Sequence, residues 1–265
     1  MMKTLDSTKL KIIACALMFG DHVHQMFYHA GAPVWLTWLG RLVFPLFLFT
    51  SAEAFHYTRN RGGYILRLGI ASVAMSVGFS ILSSALPNPN VVLMNNAFAT
   101  FFVAALYMLF ADRLISGIKD GDAWKIASSA LMCFIPIVSA VPLLFLNQLT
   151  EAAVSAGLPA SLPARAALAI PSVLTVEGGY TMILIGLAFY LLRERRWAQV
   201  AVLAAFSIAQ FIMDRGASPQ WMMVFAAIPI LMYNGRKGRG MKTFFYVFYP
   251  AHIAGLYALS TLLIK

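Results

Sequence analysis

Apolar residues run in long blocks through this chain, and polar ones gather in short clusters between them. A helix needs about 20 largely apolar residues to cross a bilayer. On that measure the pattern predicts about nine spans, with eight to ten as the range. They cover roughly 9–29, 36–56, 64–86, 94–113, 124–146, 174–192, 197–213, 219–234 and 243–264. The longest stretch between spans, about 147–173, is too short for a soluble domain. Ala152 to Pro171 is itself fairly apolar, but Pro159, Pro163, Pro171 and Arg165 interrupt it, so it reads as a connection. The expected architecture is all-α: one polytopic transmembrane helical bundle over residues 1–265, with no internal repeat.

Charge orients the bundle. With nine spans and a cytoplasmic N-terminus, the clusters Lys3–Lys11, Arg59–Arg67, Arg113–Lys125, Arg193–Arg196 and Arg236–Lys242 all fall inside, as the positive-inside rule requires. A tenth span over 152–171 would carry the last two of those clusters outside. Composition agrees: of 265 residues, 60% are hydrophobic and 11% charged, and the mean hydropathy is +0.76. Soluble domains carry about 25% charged residues, so a soluble enzyme, a disordered chain and a disulfide-rich secreted module are excluded. The net charge of +10 would suggest nucleic acid in a soluble chain; here the topology accounts for it, and no nucleic-acid partner is expected. Cys15 and Cys133 lie in apolar runs as small hydrophobes. The first run, Leu10 to Tyr28, lacks a small-residue cleavage site after it and reads as a span, not a signal peptide.

Ionisable groups inside a bilayer are costly, which makes each a functional candidate. Helical rise puts Asp21 and His22 roughly 18–20 Å above the inner end of the first span, with Arg41 of the second span within about 5 Å of that depth. His252 of the ninth span reaches about 13 Å, near the same layer. Asp21 and Arg41 can neutralise one another as a trapped pair. His22 is the natural general base, since imidazole titrates near pH 6.5. Neighbours on a helix point about 100° apart, so Asp21 can hold Arg41 or His24 while His22 faces elsewhere. Asp21-x-x-His24 and Glu53-x-x-His56 have the spacing of di-metal bundles. Their depths differ by roughly 13 Å or more, so no metal is expected.

The inner loop Phe55-His-Tyr-Thr-Arg-Asn-Arg-Gly-Gly-Tyr-Ile-Leu-Arg67 is the second concentration of chemistry. Arg59, Arg61, Tyr64 and Arg67 surround a helix start, where backbone N–H groups and arginine forks suit phosphate. An ordinary positive-inside loop would carry the same charge. Asn95 and Asn96 open the fourth span, where they can also cap its helix. Glu177 lies at the outer mouth of the sixth. Pro45 and Pro250 fall mid-span beside polar residues, where a kink widens a cavity.

Taken together, Leu10-Lys-Ile-Ile-Ala-Cys-Ala-Leu-Met-Phe-Gly-Asp21-His22, Gly40-Arg41-Leu-Val-Phe-Pro-Leu-Phe-Leu-Phe, the stretch Glu53 to Arg67, and Phe245-Tyr-Val-Phe-Tyr-Pro-Ala-His252 resemble the TraX proteins, over nearly the whole chain. The family is named for a pilin N-acetylase of the bacterial inner membrane, and the pattern is also similar to wider transmembrane acyltransferases that modify sugars. The resemblance implies an acetyltransferase that uses acetyl-CoA as co-substrate, with His22 as base or acetyl carrier. Asp21 would orient or charge-stabilise a partner and Arg41 would stabilise an oxyanion. Arg59, Arg61, Tyr64 and Arg67 would hold the donor, and Asn95, Asn96, Glu177 and His252 would line the acceptor side. Partners are then acetyl-CoA, membrane lipid and a peptide or sugar acceptor, with the oligomeric state, a homodimer included, left open. The competing class is a proton-coupled transporter using Asp21, His22 and Arg41 as a relay.

Overall fold

The computed structural model describes residues 4–263. It is all-helical; the extended pairing among the described residues is a single bridge between Leu5 and Tyr233. Four helical stretches are long and apolar enough to cross a membrane by length and composition: Trp35–Tyr57, taken across a break at 41–42, Arg61–Ala85, Ala97–Asp120 and Arg196–Asp214. The chain forms two compact units. The first takes in the chain up to His56, Leu82–Leu93 and the chain from Ala188; the second takes in Tyr57–Ile81 and Met94–Leu187.

In the first unit, α1 (Ser7–Phe27) begins at Asp6, whose carboxylate accepts from the Lys9 N–H at 2.8 Å. It faces α2 (Trp35–Gly40) on one side and the last helix on the other. The expected second span is broken at Arg41–Leu42 before it resumes as α3 (Val43–Tyr57). Pro45 is the cause: its ring collides with the carbonyl four residues back, which belongs to Arg41, and it has no N–H to offer it. Arg41 and Leu42 donate instead to carbonyls three residues back, Trp38 and Leu39. The kink thus falls on the arginine.

The second unit holds most of α4 (Arg61–Ala85), then α5 (Ala97–Asp120). The predicted fifth span, 124–146, is not one helix. It divides into α6 (Ala123–Met132), α7 (Ile135–Val138) and α8 (Val141–Leu144). The breaks at 133–134 and 139–140 each lie just before a proline, Pro136 and Pro142, for the reason that applies at Pro45. The connecting stretch 147–173 contains α9 (Leu146–Ser155) and α10 (Leu162–Ala169), both far shorter than a bilayer needs. Next comes α11 (Gly179–Leu191), whose last residues belong to the first unit.

The first unit closes with α12 (Arg196–Asp214), a 3-10 helix over Pro219–Ala226, α13 (Ala227–Leu231) and α14 (Lys242–Leu263). The expected eighth span is therefore mostly a 3-10 helix, a form seldom sustained this long. Its start is set by Ser218, whose hydroxyl accepts from the Gln220 N–H at 3.2 Å, and by Pro219.

Candidate functional site

His22, on the second half of α1, is 4% exposed and turns toward α14. Its Nδ1 lies 2.7 Å from Nε2 of His252, and the rings stack with centroids 4.9 Å apart. Nδ1 of His252 in turn lies 2.6 Å from the Phe248 carbonyl oxygen. A carbonyl can only accept, so His252 donates from Nδ1, and with both rings neutral its Nε2 is an acceptor. His22 must then donate from Nδ1. The chain of two bonds leaves the lone pair of His22 on Nε2, the tautomer a general base needs. Tyr249 and Phe19 flank the two rings at centroid distances of 6.3 Å to His22 and 6.2 Å to His252.

Asp21 points away from this pair, as the helical turn between neighbours requires. Its Oδ1 is 3.5 Å from Nη2 of Arg41. Arg41 is held on other sides too. Nε donates to the Thr37 carbonyl at 3.1 Å, Nη2 to the Thr37 hydroxyl at 3.1 Å, and Nη1 to Oε1 of Gln220 at 3.0 Å. A guanidinium has five N–H donors, so these contacts leave an Nη1 hydrogen uncommitted. Nδ1 of His24 meets the Ala32 carbonyl at 3.1 Å.

Gly40 makes the Asp21–Arg41 pair possible, because a Cβ built there overlaps the Asp21 carboxyl group. Gly40→Ala is expected to push Asp21 off Arg41 and to destabilise the protein by about 1–3 kcal/mol, the usual scale of overpacking. Thermal unfolding in detergent checks this, with Gly20→Ala as the control. A Cβ at Gly20 meets only leucine side chains, at 3.6 Å.

Gln220 and Thr37 are not among the sequence-based candidates. Gln220 carries a faint signal, a polar side chain in an apolar run directly after Ser218-Pro219. The partner of Glu53 is likewise unmarked by any local pattern. Glu53 pairs with Arg196 at 3.6 Å, and Arg196 donates to Gln199 at 2.8 Å. Glu53 and His56, the sequence's other metal-like spacing, are thus placed with Arg196 and beside the Tyr190 ring.

The second unit holds the remaining candidates. Arg61 forms an ion pair with Asp112. The side-chain oxygen of Asn60 accepts from the Gly63 N–H at 2.7 Å, so the chain itself caps the start of α4 where phosphate was expected. Arg59 and Arg67 are exposed, and Tyr64 is half-buried on the first turn of α4. Asn96 caps α5 by accepting from Ala99 at 3.2 Å, while its Nδ2 donates to the Ser72 carbonyl at 3.0 Å and the Ser76 hydroxyl at 2.7 Å. The Asn96 N–H donates to Glu177 at 2.9 Å, and the Thr100 hydroxyl to the Glu177 carbonyl at 2.7 Å. Asn95, beside it, is half-buried. Asn96 and Glu177 therefore tie α4, α5 and the start of α11 together.

The His22–His252 and Asp21–Arg41 pairs fall within the match to a protein-family model, described as TraX protein, that covers residues 6–149 and 162–260. The chain belongs to the TraX family. The unmatched 150–161 is the end of α9 and the turn after it, remote in sequence from every candidate residue of this TraX protein. No curated protein and no solved structure matches the chain.

Proposed function

We propose that this TraX protein is a membrane-embedded acetyltransferase of the bacterial inner membrane. It would move an acetyl group from cytoplasmic acetyl-CoA to an amine or hydroxyl acceptor, a pilin-like N-terminus or a glycan. About nine passes with a cytoplasmic N-terminus is the topology that goes with this reading. The observation that carries it is the His22–His252–Phe248 chain of hydrogen bonds, which supports a bare Nε2 on a buried imidazole.

In the proposed reaction the acceptor N–H or O–H gives its proton to Nε2 of His22 as its heteroatom attacks the thioester carbonyl. The C–S bond breaks, and the thiolate of CoA takes that proton back from His22. While His22 is protonated, His252 accepts from its Nδ1 and spreads the charge. Arg41, kept in place by Asp21, Thr37 and Gln220, is the cation offered to the carbonyl oxygen as negative charge develops there. Asn95, Asn96 and Glu177 are proposed for the acceptor from their places at the outer ends of spans.

The test uses protein reconstituted in liposomes with acetyl-CoA and a panel of amine and hydroxyl acceptors. Acceptor-dependent release of free CoA thiol is expected. If no thiol is released while a proton gradient moves with a solute, the transporter reading takes its place.

A further inference from the structure

The loop between α13 and α14 reads Asn234-Gly-Arg-Lys-Gly-Arg-Gly240. The positive-inside rule accounts for its charge, but not for how it is held. The Asn234 N–H donates to the Leu5 carbonyl at 2.8 Å, the Ser7 N–H to the Arg236 carbonyl at 2.9 Å, and the Thr8 hydroxyl to the Arg239 carbonyl at 2.6 Å. Gly235 and Gly238, at φ of +80° and +73°, allow the two bends this requires. The loop is thus fastened to the start of α1, with three cations on a fixed backbone.

Those cations stand outside the ion pairs of the described residues. From Arg215 onward the chain contains neither Asp nor Glu. Among the described residues, none of Lys11, Arg236, Lys237 and Arg239 forms an ion pair. Asp6, the acid of this corner, lies against Gly238 and accepts from the Lys9 N–H as the helix cap. Cations of one sign gathered on a fixed scaffold raise the local concentration of an anion.

From this corner α1 and α14 run side by side in the same direction. Lys11 meets the Phe245 ring at 5.6 Å near their starts, and His22 meets His252 farther along. On α14 the rings of Phe244, Phe248 and His252 stack at four-residue spacing, with centroids 5.4 Å and then 4.6 Å apart. From Lys242 to His252 the helix rises about 15 Å, a length that an extended thioester arm on a phosphorylated nucleotide can cover.

We infer that Lys11, Arg236, Lys237 and Arg239 bind the phosphate groups of the thioester donor, whose arm lies along the Phe244–Phe248 stack and presents its carbonyl to His22. This rests on the acetyltransferase reading and moves the donor's anchor from the Arg59–Arg67 loop into the unit that holds the histidine pair. A phospholipid headgroup carries the same phosphate chemistry, so the test separates the two.

The full-length protein in neutral detergent is titrated calorimetrically with coenzyme A and with adenosine 3′,5′-bisphosphate. Arg236→Gln/Lys237→Gln/Arg239→Gln is expected to weaken both by about tenfold or more, the scale of one lost charge-assisted hydrogen bond, and Arg59→Gln/Arg61→Gln by less than about twofold. Lys237→Gln alone decides the matter if the triple variant fails to fold. It is expected to weaken coenzyme A binding while the ligand-free melting temperature stays where it was; a purely structural lysine would lower the melting temperature and leave binding by the folded protein unchanged.

Unchanged binding in the Lys237→Gln and triple variants, with loss in the Arg59/Arg61 variant, overturns this site and leaves the acetyltransferase standing. If neither probe binds but phosphatidylglycerol-doped micelles do, and the triple variant loses them, the loop is a lipid site and the inference is wrong. Thiol release from acetyl-CoA then judges the acetyltransferase reading separately.

Discussion

His22→Ala is expected to lower kcat for acetyl transfer by about 10²–10⁴-fold, the range a positioned base contributes, with the protein still folded and extractable. The ring is buried at 4% exposure, and the polar contact it loses is to His252, which keeps its bond to the Phe248 carbonyl. Its companion variant tests the tautomer. His252→Phe removes the acceptor for His22 Nδ1, so His22 is free to carry its hydrogen on Nε2, where it cannot serve as a base. That change should lower kcat by about tenfold or more with little change in KM, the signature of an interaction realised in the transition state. His252→Gln, which keeps an acceptor oxygen, should recover part of the loss. A packing role alone would move stability and leave kcat where it was. Should His22→Ala retain full turnover, the base is misassigned.

Arg196→Met is expected to destabilise the first unit by about 3–5 kcal/mol, because breaking a buried ion pair strands the other charge. Glu53 is that charge: its side chain is 11% exposed, and Arg196 is the cation paired with it at 3.6 Å. The guanidinium also covers the Phe49 ring at 4.5 Å and the Tyr233 ring at 5.1 Å, so packing is lost with the charge. Gln199, fully buried, links Arg196 to the Phe189 carbonyl through bonds of 2.8 Å and 2.5 Å. Adding Glu53→Gln to the Arg196→Met variant should restore more than half of the loss in a double-mutant cycle. Arg196→Lys should not, since an ammonium cannot stack its plane on two rings. An unfolding midpoint within error of wild type for Arg196→Met would mean that Glu53 is solvated and the cluster is incidental.

Proline explains where the chain departs from expectation most plainly. The segment 124–146 has the apolarity of a span, and hydropathy alone reads it as one. Pro136 and Pro142 each remove an N–H and obstruct the carbonyl four residues earlier, which splits it into three helices. The same rule, applied to Pro45, places the kink on Arg41. In the loop 58–67, Asp112, fifty-one residues further along the chain, pairs with Arg61, and Asn60 accepts from the Gly63 N–H, partners that no local pattern shows.

By itself the sequence determined the helical class and the family, and it marked Asp21, His22, Arg41 and His252 as polar residues set in apolar runs. Depth along a helix is one-dimensional, read by counting residues from the end of an apolar run. Which way each side chain points around its helix, and what it meets there, was decided by tertiary structure. That second coordinate joins His22 to His252, Asp21 to Arg41, and Arg41 to Gln220, a residue no local pattern marks. It also fastens the 234–240 loop to the start of α1, more than two hundred residues away in the chain. Hydrogen bonds are short-ranged and directional, so pairings of this kind are set by how helices pack, which no run of neighbouring residues contains.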